Sequence, residues 1–528
     1  MPLTRTVEHG WGEGLLYCRT AKSGAFCAAA VVRRPTVPPG MISRQQSTLG
    51  VPEALLRKAR SALEGRRKLQ AITAYLEILK LSPGSAPLLV EAARAYTLNG
   101  DRDQARALLI DALASGNVTM EIAIRIASSF FLAGDHQVAH AILSDGWQKT
   151  RFVAFLVPLM EVLERLGKLE EALGLLVEFK SPSPRAWLLE GLIAARQKDF
   201  ARALTAFSKA QTGSLAAGDG LTALRAGLEE AKCHERLGDY AKAWSAMTAI
   251  RAKLFPPRSV IRDSDRQYTT KTQACLRDLD YFVKQGRVAT PVSGESAPLL
   301  VTGHPRSGTS VVTVALCKAL NRTQYDEPDA FLNALERHRA DQIALNQLDE
   351  STRQEVRADY FDLLRQIDPE TDSQSPLIDK NPVLELRVPR WLTIFPVSTV
   401  LFVQRHPLDI MLSCLFTYLP PNPISLQYYN SERNAATIET SRHFQNQLLE
   451  HFPENCTAIG YEDFIRDGSF AGAKLPDRYQ GAEAKETTLH SPNYSQAKES
   501  AHARSVRRYE NYLPYFPPQI TKRFLKKD

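Results

Sequence analysis

Residues 299–310 read LLVTGHPRSGTS, and the fold of the second half of the chain turns on them. An apolar run, Leu299-Leu300-Val301, stops at a glycine-bracketed loop that then enters VVTVALCKAL. Strand, glycine loop and helix together make a phosphate-binding arrangement. Glycines allow the tight turn, successive backbone N–H groups converge on an anion, and the helix adds its positive dipole end. Gly303 and Gly308 have the spacing of a P-loop. The next residue, however, is Thr309, where a nucleotide triphosphatase carries the lysine that reaches the β- and γ-phosphates. STVLFVQR (398–405) ends in Arg405 where a metal-holding aspartate would stand. The loop therefore suits metal-free capture of a doubly anionic group, and no metal site is expected.

Downstream, the apolar runs PLLVTG (298–303), STVLFVQR and NCTAIGYEDF (455–464) alternate with helical stretches. That alternation predicts a parallel sheet with helices on its faces. Ligands sit at the carboxyl ends of such strands. In RHPLDIMLSC, Pro407 falls where proline is favoured, at the first helical position. Ser413 follows about two turns into that helix. An arginine at a strand end and a serine on the adjoining helix can grip one phosphate together.

Upstream, glycines recur with similar neighbours: Gly65, Gly100, Gly134, Gly167 and Gly238, the first spacings being 35, 34 and 33 residues. A weaker copy, RQKDFARALTAFSKA, has Lys198 in the glycine's place, and the loop TGSLAAGDG (212–220) stretches the last interval. Each unit reads as two amphipathic helices, with Leu88, Ala92, Ala95 and Tyr96 on one face. The glycine ends the first helix in a left-handed conformation. The small Ala105, Ala139 and Ala172 let the second helix approach closely. The period resembles the tetratricopeptide repeat, in five or six imperfect copies. Such arrays have a concave face that holds a peptide or protein, or else serve as scaffold.

The 528 residues exceed one core, and 44% apolar with 23% charged residues is ordinary globular usage. A net charge of +8 suits anionic ligands without arguing for nucleic acid. No apolar run is long enough to span a bilayer. Seven scattered cysteines without a CxxC pair point to reduced thiols and a cytoplasmic protein. Residues 1–50 hold six basic and two acidic residues. They read as a disordered basic extension, with a transit peptide or a start at Met41 as alternatives. The expected organisation is extension 1–50, helical array 53–255, linker with a helix 256–297 (FPPRSVIRDSDRQ as a break, a helix from about 270), and α/β domain 298–528.

PRSGTS after a strand, LIDKNP (377–382), RHPLDIMLSC and YEDF (461–464), in that order, resemble the PAPS-dependent sulfotransferases, PAPS being 3′-phosphoadenosine 5′-phosphosulfate. The resemblance is closest to the branch containing protein-tyrosine sulfotransferases and bacterial enzymes with tetratricopeptide repeats in front. The fold it implies is an all-α repeat solenoid followed by an α/β, P-loop-like domain with a parallel sheet. It implies PAPS as co-substrate, with Pro305, Arg306, Ser307, Gly308, Thr309 and Ser310 around the 5′-phosphosulfate. Arg405 and Ser413 would hold the 3′-phosphate, and Gln496 and Lys498 would fall in the segment that closes over the nucleotide. Lys380, in LIDKNP, takes the place of the family's catalytic lysine, beside Arg306. Glu327 stands where the protein-tyrosine branch has its base, with Asp326 and Asp329 as rivals. His304 reads as structural or phosphate-side; Asp379, Asp409 and Tyr461-Glu462-Asp463 read as braces. The acceptor would be a hydroxyl, on a protein tyrosine or another large molecule recruited by the array. A binder of PAPS or adenosine 3′,5′-bisphosphate without turnover is the alternative, and a P-loop kinase or GTPase-like enzyme a weaker one.

Overall fold

The computed structural model describes residues 51–525 except 65–67, 100, 117, 287–297, 321, 323, 369, 373–376, 420–421, 469, 471–474 and 476–504. The basic extension 1–50 lies outside the described residues, as do Gly65 and Gly100.

Periodic apolar residues produce six successive helix pairs. They are Glu53–Glu64 with Lys68–Leu81, Ala86–Asn99 with Arg102–Ala114, Met120–Ala133 with His136–Thr150, Leu156–Arg165 with Leu169–Gly174, Pro184–Arg196 with Phe200–Ala217, and Gly220–Arg236 with Tyr240–Lys253. Leu88, Ala92 and Ala95 are buried, as are Ala105, Ala139 and Ala172 where the second helices approach. The turn inside a pair is left-handed at Gly134, Gly167, Lys198 and Gly238. Gly134 has φ 88°, and its N–H bonds Phe131 O at 3.0 Å while Asp135 N–H bonds Phe130 O at 2.8 Å. These bonds satisfy carbonyls that the helix end would otherwise leave unpaired. Lys198 takes the same path at φ 65°, with Lys198 N–H on Ala195 O at 3.2 Å and Asp199 N–H on Ala194 O at 2.9 Å. The array imposes the turn, and the lysine bears the strain.

Two boundaries differ from the sequence reading. Most of TGSLAAGDG is helix, because its run of Ser, Leu and Ala residues continues the helix Phe200–Ala217, and the break is confined to Gly218 and Asp219. The break at FPPRSVIRDSDRQ is confined to its prolines, and the helix starts at Arg258, running to Gln285. Asp265 in that charged stretch is neutralised by Arg433. Cys275, Leu279 and Phe282 on this helix join the core of the sheet domain.

Five strands form one parallel sheet: β1 (Leu299–Thr302), β2 (Gln324–Asp326), β3 (Ile378–Lys380), β4 (Thr399–Gln404) and β5 (Cys456–Gly460), in the order β2-β3-β1-β4-β5. Both faces are covered, so the central strands are continuous apolar runs. Leu300, Val400 and Phe402 meet Phe331, Tyr360, Trp391 and Phe395 on one side. Leu299, Val301, Leu401 and Val403 meet Val312 and Leu316 on the other. The strand order reverses between β1 and β4, so the loops after these two strands flank one crevice at their carboxyl ends.

Both ends of the array touch the sheet domain. Lys68 Nζ donates to Asn333 Oδ1 at 2.9 Å and Glu336 Oε2 at 2.8 Å, and Arg337 pairs with Asp101 at 2.7 Å. At the other end, Trp244 packs on Tyr515 and Phe516. None of the described helices is long and apolar enough to cross a membrane. Cys233, Cys275, Cys317, Cys414 and Cys456 are buried, with no disulfide among the described residues.

Candidate active site

The loop after β1 owes its shape to two glycines. Gly303 (φ 145°) lies where a Cβ would come within 2.7 Å of Val403 O on the adjacent strand. Gly308 (φ 104°) lies where a Cβ would come within 2.3 Å of the Tyr461 ring. The helix Thr309–Leu320 follows at once. Its first turn leaves N–H groups without intrahelical partners, so Thr309 and Ser310 bring donors to the loop. Ser307 is fully buried, and its Oγ has no hydrogen-bond partner among the described residues.

Between the glycines, Arg306 takes a left-handed conformation at φ 78°. Its Nε donates to Ser413 Oγ at 3.1 Å, across from the loop to the helix Pro407–Phe416. Arg405, just past β4, donates through Nη1 to Arg306 O at 3.1 Å and through Nη2 to Ser505 O. Its guanidinium lies 4.8 Å from the centre of the Tyr461 ring, and Tyr461 Oη is 2.7 Å from Ser505 Oγ. Arg405 Nε is buried without a partner, and no carboxylate pairs with Arg405 among the described residues. The glycine loop and the arginine–serine pair are thus one continuous surface. Partly buried positive charge of this kind is costly unless an anion joins it.

On the other flank, β3 places Lys380 opposite Val301 of β1 and Asp326 of β2. Lys380 Nζ is 2.5 Å from Asp326 Oδ1 and 2.7 Å from Glu327 Oε1. Lys380 is fully buried and Asp326 nearly so, whereas the Glu327 side chain keeps 15% exposure. Burial alone would lower the lysine's pKa; Asp326 and Glu327 outweigh it, and the net direction is up. Glu327 is itself left-handed, φ 54°, and its N–H bonds Lys380 O at 2.6 Å. Asn381 locks the junction, its Nδ2 on Pro328 O at 2.9 Å. β2 does end in an aspartate, but that aspartate is engaged by Lys380.

The remaining polar residues brace these parts. His304 is buried, with Nδ1 2.7 Å from Pro305 O and Nε2 3.1 Å from Thr437 Oγ1. Burial pushes its pKa down to about 4, so it is a neutral structural ring. His406 is held at about 4 by burial and by nearby arginines, and it stacks on Tyr509 with centroids 4.0 Å apart. Glu462 Oε1 accepts from His406 N at 2.8 Å, and Asp409 Oδ1 from Tyr509 N at 2.8 Å. Asp379 accepts from Tyr360 Oη at 3.1 Å. Burial lifts the Cys414 thiol to about 12, which removes it as a nucleophile. Asp329 sits at the start of the helix Ala330–Arg337.

Pro305, Arg306, Ser307, Gly308, Thr309, Ser310, Arg405 and Ser413 therefore converge, and Glu327 and Lys380 form a second group one strand away. Gln496 and Lys498 lie outside the described residues. Tyr461 as the floor of the loop and Ser505 as a partner of Arg405 were not read from sequence. The glycine at 308 was the available signal, since a close approach there needs something to approach. Among the described residues no cluster of His, Cys, Asp and Glu could hold a metal ion.

A model of the sulfotransferase family matches residues 298–469, and two tetratricopeptide-repeat models match 53–85 and 161–221. No curated protein matches the sequence. Among solved structures, pilF of Pseudomonas aeruginosa is 17% identical with a TM-score of 0.30, over 39% of this chain and 91% of that one. The P58(IPK) TPR domain is 17% identical with a TM-score of 0.18, over 38% of this chain and 60% of that one. Both likenesses are too weak to carry an argument.

Proposed function

The chain is a sulfotransferase-family protein with tetratricopeptide repeats ahead of the transferase domain, and from that premise we propose that it moves the sulfuryl group of PAPS to an acceptor hydroxyl. One observation carries the choice of donor. The glycine loop and the Arg405–Ser413 pair meet through Arg306, leaving Ser307 Oγ and Arg405 Nε buried without partners among the described residues. A nucleotide with anionic groups at both its 5′ and 3′ positions supplies acceptors for both. A triphosphate with magnesium does not fit a loop that lacks the lysine.

In this reading the acceptor oxygen attacks sulfur in line. The sulfur–oxygen bond to the 5′-phosphate breaks, and negative charge grows on the departing phosphate oxygen. The loop N–H groups and Arg306 hold the 5′ end and meet the growing charge, and Lys380, with no exposed surface to touch the donor, favours that charge from beneath the crevice. The acceptor's proton passes to Glu327. Asp326 is too buried to touch an acceptor, which leaves Glu327 the better base. The array recruits or orients a large acceptor, with a protein tyrosine as one candidate.

The test begins with retention on immobilised adenosine 3′,5′-bisphosphate, then transfer of labelled sulfate from PAPS to peptide, carbohydrate and phenol acceptors. Retention with transfer supports the proposal, and retention without transfer to any acceptor identifies a binder instead. Failure of the wild-type chain to be retained sinks the donor assignment. Glu327→Gln should keep retention and lose transfer; undiminished transfer removes Glu327 as base.

A further inference from the structure

The arginine–serine clamp is built partly by the last repeat of the array. The helix that carries Ser413 ends in carbonyls held by Arg251, from the repeat helix Tyr240–Lys253. Arg251 Nε donates to Leu415 O at 2.7 Å, and Nη2 to Cys414 O at 3.1 Å and Thr417 O at 3.2 Å. Arg251 is only 6% exposed and pairs with no carboxylate among the described residues. Its charge is met by the negative end of the helix, at carbonyls one to four residues beyond Ser413. A buried cation kept in such a place fixes position.

The opposite flank is held by the same repeat. Ser505, whose carbonyl receives Arg405, lies three residues before Arg508. Arg508 forms a two-pronged pair with Glu235 of the repeat helix Gly220–Arg236, Nη2 to Oε2 at 2.6 Å. Its guanidinium lies over Phe416 at 4.8 Å. Tyr512, one turn further on, packs against Tyr240, Trp244 and Phe416. The segment 505–512 is therefore clasped between the last repeat on one side and Arg405, His406 and Asp409 on the other.

We propose that Glu235 and Arg251 are positioning residues for recognition of the donor's 3′-phosphate: Glu235 acts through Arg508 on the segment bearing Ser505, and Arg251 acts through the helix end on Ser413. The repeat array is then a structural part of the donor site as well as a surface for other molecules. The inference rests on the donor reading above, and the experiment separates the two.

Full-length variants are titrated by calorimetry with adenosine 3′,5′-bisphosphate and with adenosine 5′-phosphate. The wild-type preference for the bisphosphate measures the clamp. Glu235→Gln and Arg251→Lys should each cut that preference about tenfold, within the range carried by coupled contacts, while leaving affinity for adenosine 5′-phosphate unchanged. The swap Glu235→Arg with Arg508→Glu should restore it. Glu161→Gln, which breaks the Arg185–Glu161 pair (2.7 Å) inside the array, should leave it at the wild-type value. A wild-type chain without the preference overturns the donor reading itself. An intact preference in both variants, or equal weakening of both ligands, overturns this inference while the donor reading stands. If Arg251→Lys does not fold, Glu235→Gln and Arg508→Lys still decide.

Discussion

Lys380→Met would test the buried charge cluster most directly. The lysine is fully buried with Asp326 and Glu327 at 2.5 and 2.7 Å. Its removal strands the Asp326 carboxylate, whose side chain is only 1% exposed, and breaking a buried pair this way costs about 3–5 kcal/mol. The cost should depend on pH. In the wild type the folded pKa of Lys380 is raised, so its stabilisation is full below 10.5 and is lost as pH climbs through the folded value. In the variant, Asp326 keeps its burial but loses the lysine that opposed it, which raises its folded pKa above its unfolded one. The deficit is then large at pH 7.5 and shrinks toward pH 4, as the carboxylate takes up a proton. Adding Asp326→Asn should recover most of the lost stability and flatten the pH dependence. Denaturant unfolding of both variants at pH 7.5 and 4.5 measures this. Sulfate transfer should fall about 10²–10³-fold in both, the scale for one charge-stabilising donor. Retention on adenosine 3′,5′-bisphosphate should survive, because Arg405 and Ser413 do not depend on the lysine. A deficit equal at the two pH values and untouched by Asp326→Asn would refute the cluster's electrostatics.

Lys198→Gly relieves a left-handed lysine (φ 65°) and should stabilise the chain by about 1 kcal/mol in denaturant unfolding. Gly308→Ala puts a methyl group 2.3 Å from the Tyr461 ring at φ 104°; it should cost about 1–3 kcal/mol and abolish retention on adenosine 3′,5′-bisphosphate. Glu385 is buried, receives Ser441 Oγ and Gln445 Nε2, and is lifted by burial from 4.5 to about 7. Its raised pKa means that stability is lost as pH rises from 4.5 through 7, so Glu385→Gln should gain about 3 kcal/mol at pH 8 and nothing near pH 4, read from unfolding at both.

Features carried by a local period or a fixed spacing were legible. The helix pairs follow from recurrent apolar faces, and the loop from two glycines after an apolar strand. Arg405 and Ser413 could be paired because both lie within one strand-to-helix junction. Strands β2 and β3 could not be read as strands, since three residues each carry no period. The start of the long helix at Arg258 was masked by RDSDRQ, whose Asp265 is paired with Arg433, 168 residues away. Tyr461 as the floor of the loop and Ser505 as a partner of Arg405 were illegible for the same reason. Their contacts with Arg405 and with the Gly308 position join segments far apart in the chain.

The backbone offers an independent argument for where the chemistry lies. Six described non-glycine residues have positive φ: Arg151, Lys198, Arg306, Glu327, Arg339 and Arg507. Arg151, Lys198 and Arg339 follow helix ends, where a left-handed residue closes the last turn, and Arg507 adjoins the helix Arg508–Tyr515. Arg306 and Glu327 close no helix. Each lies just beyond a strand and three residues ahead of the next helix. Glu327 N–H still reaches Lys380 O, so the chain must turn left-handed to leave β2 while keeping that bond. The turn carries the Glu327 carboxylate back over Lys380. Arg306 is fixed likewise by Arg405 on its carbonyl while its side chain crosses to Ser413. Glycine would occupy either position without the roughly 1–3 kcal/mol that such a conformation costs. The chain instead spends that energy on a guanidinium and a carboxylate at the two edges of one crevice, which is where an anionic donor and a hydroxyl acceptor would need them.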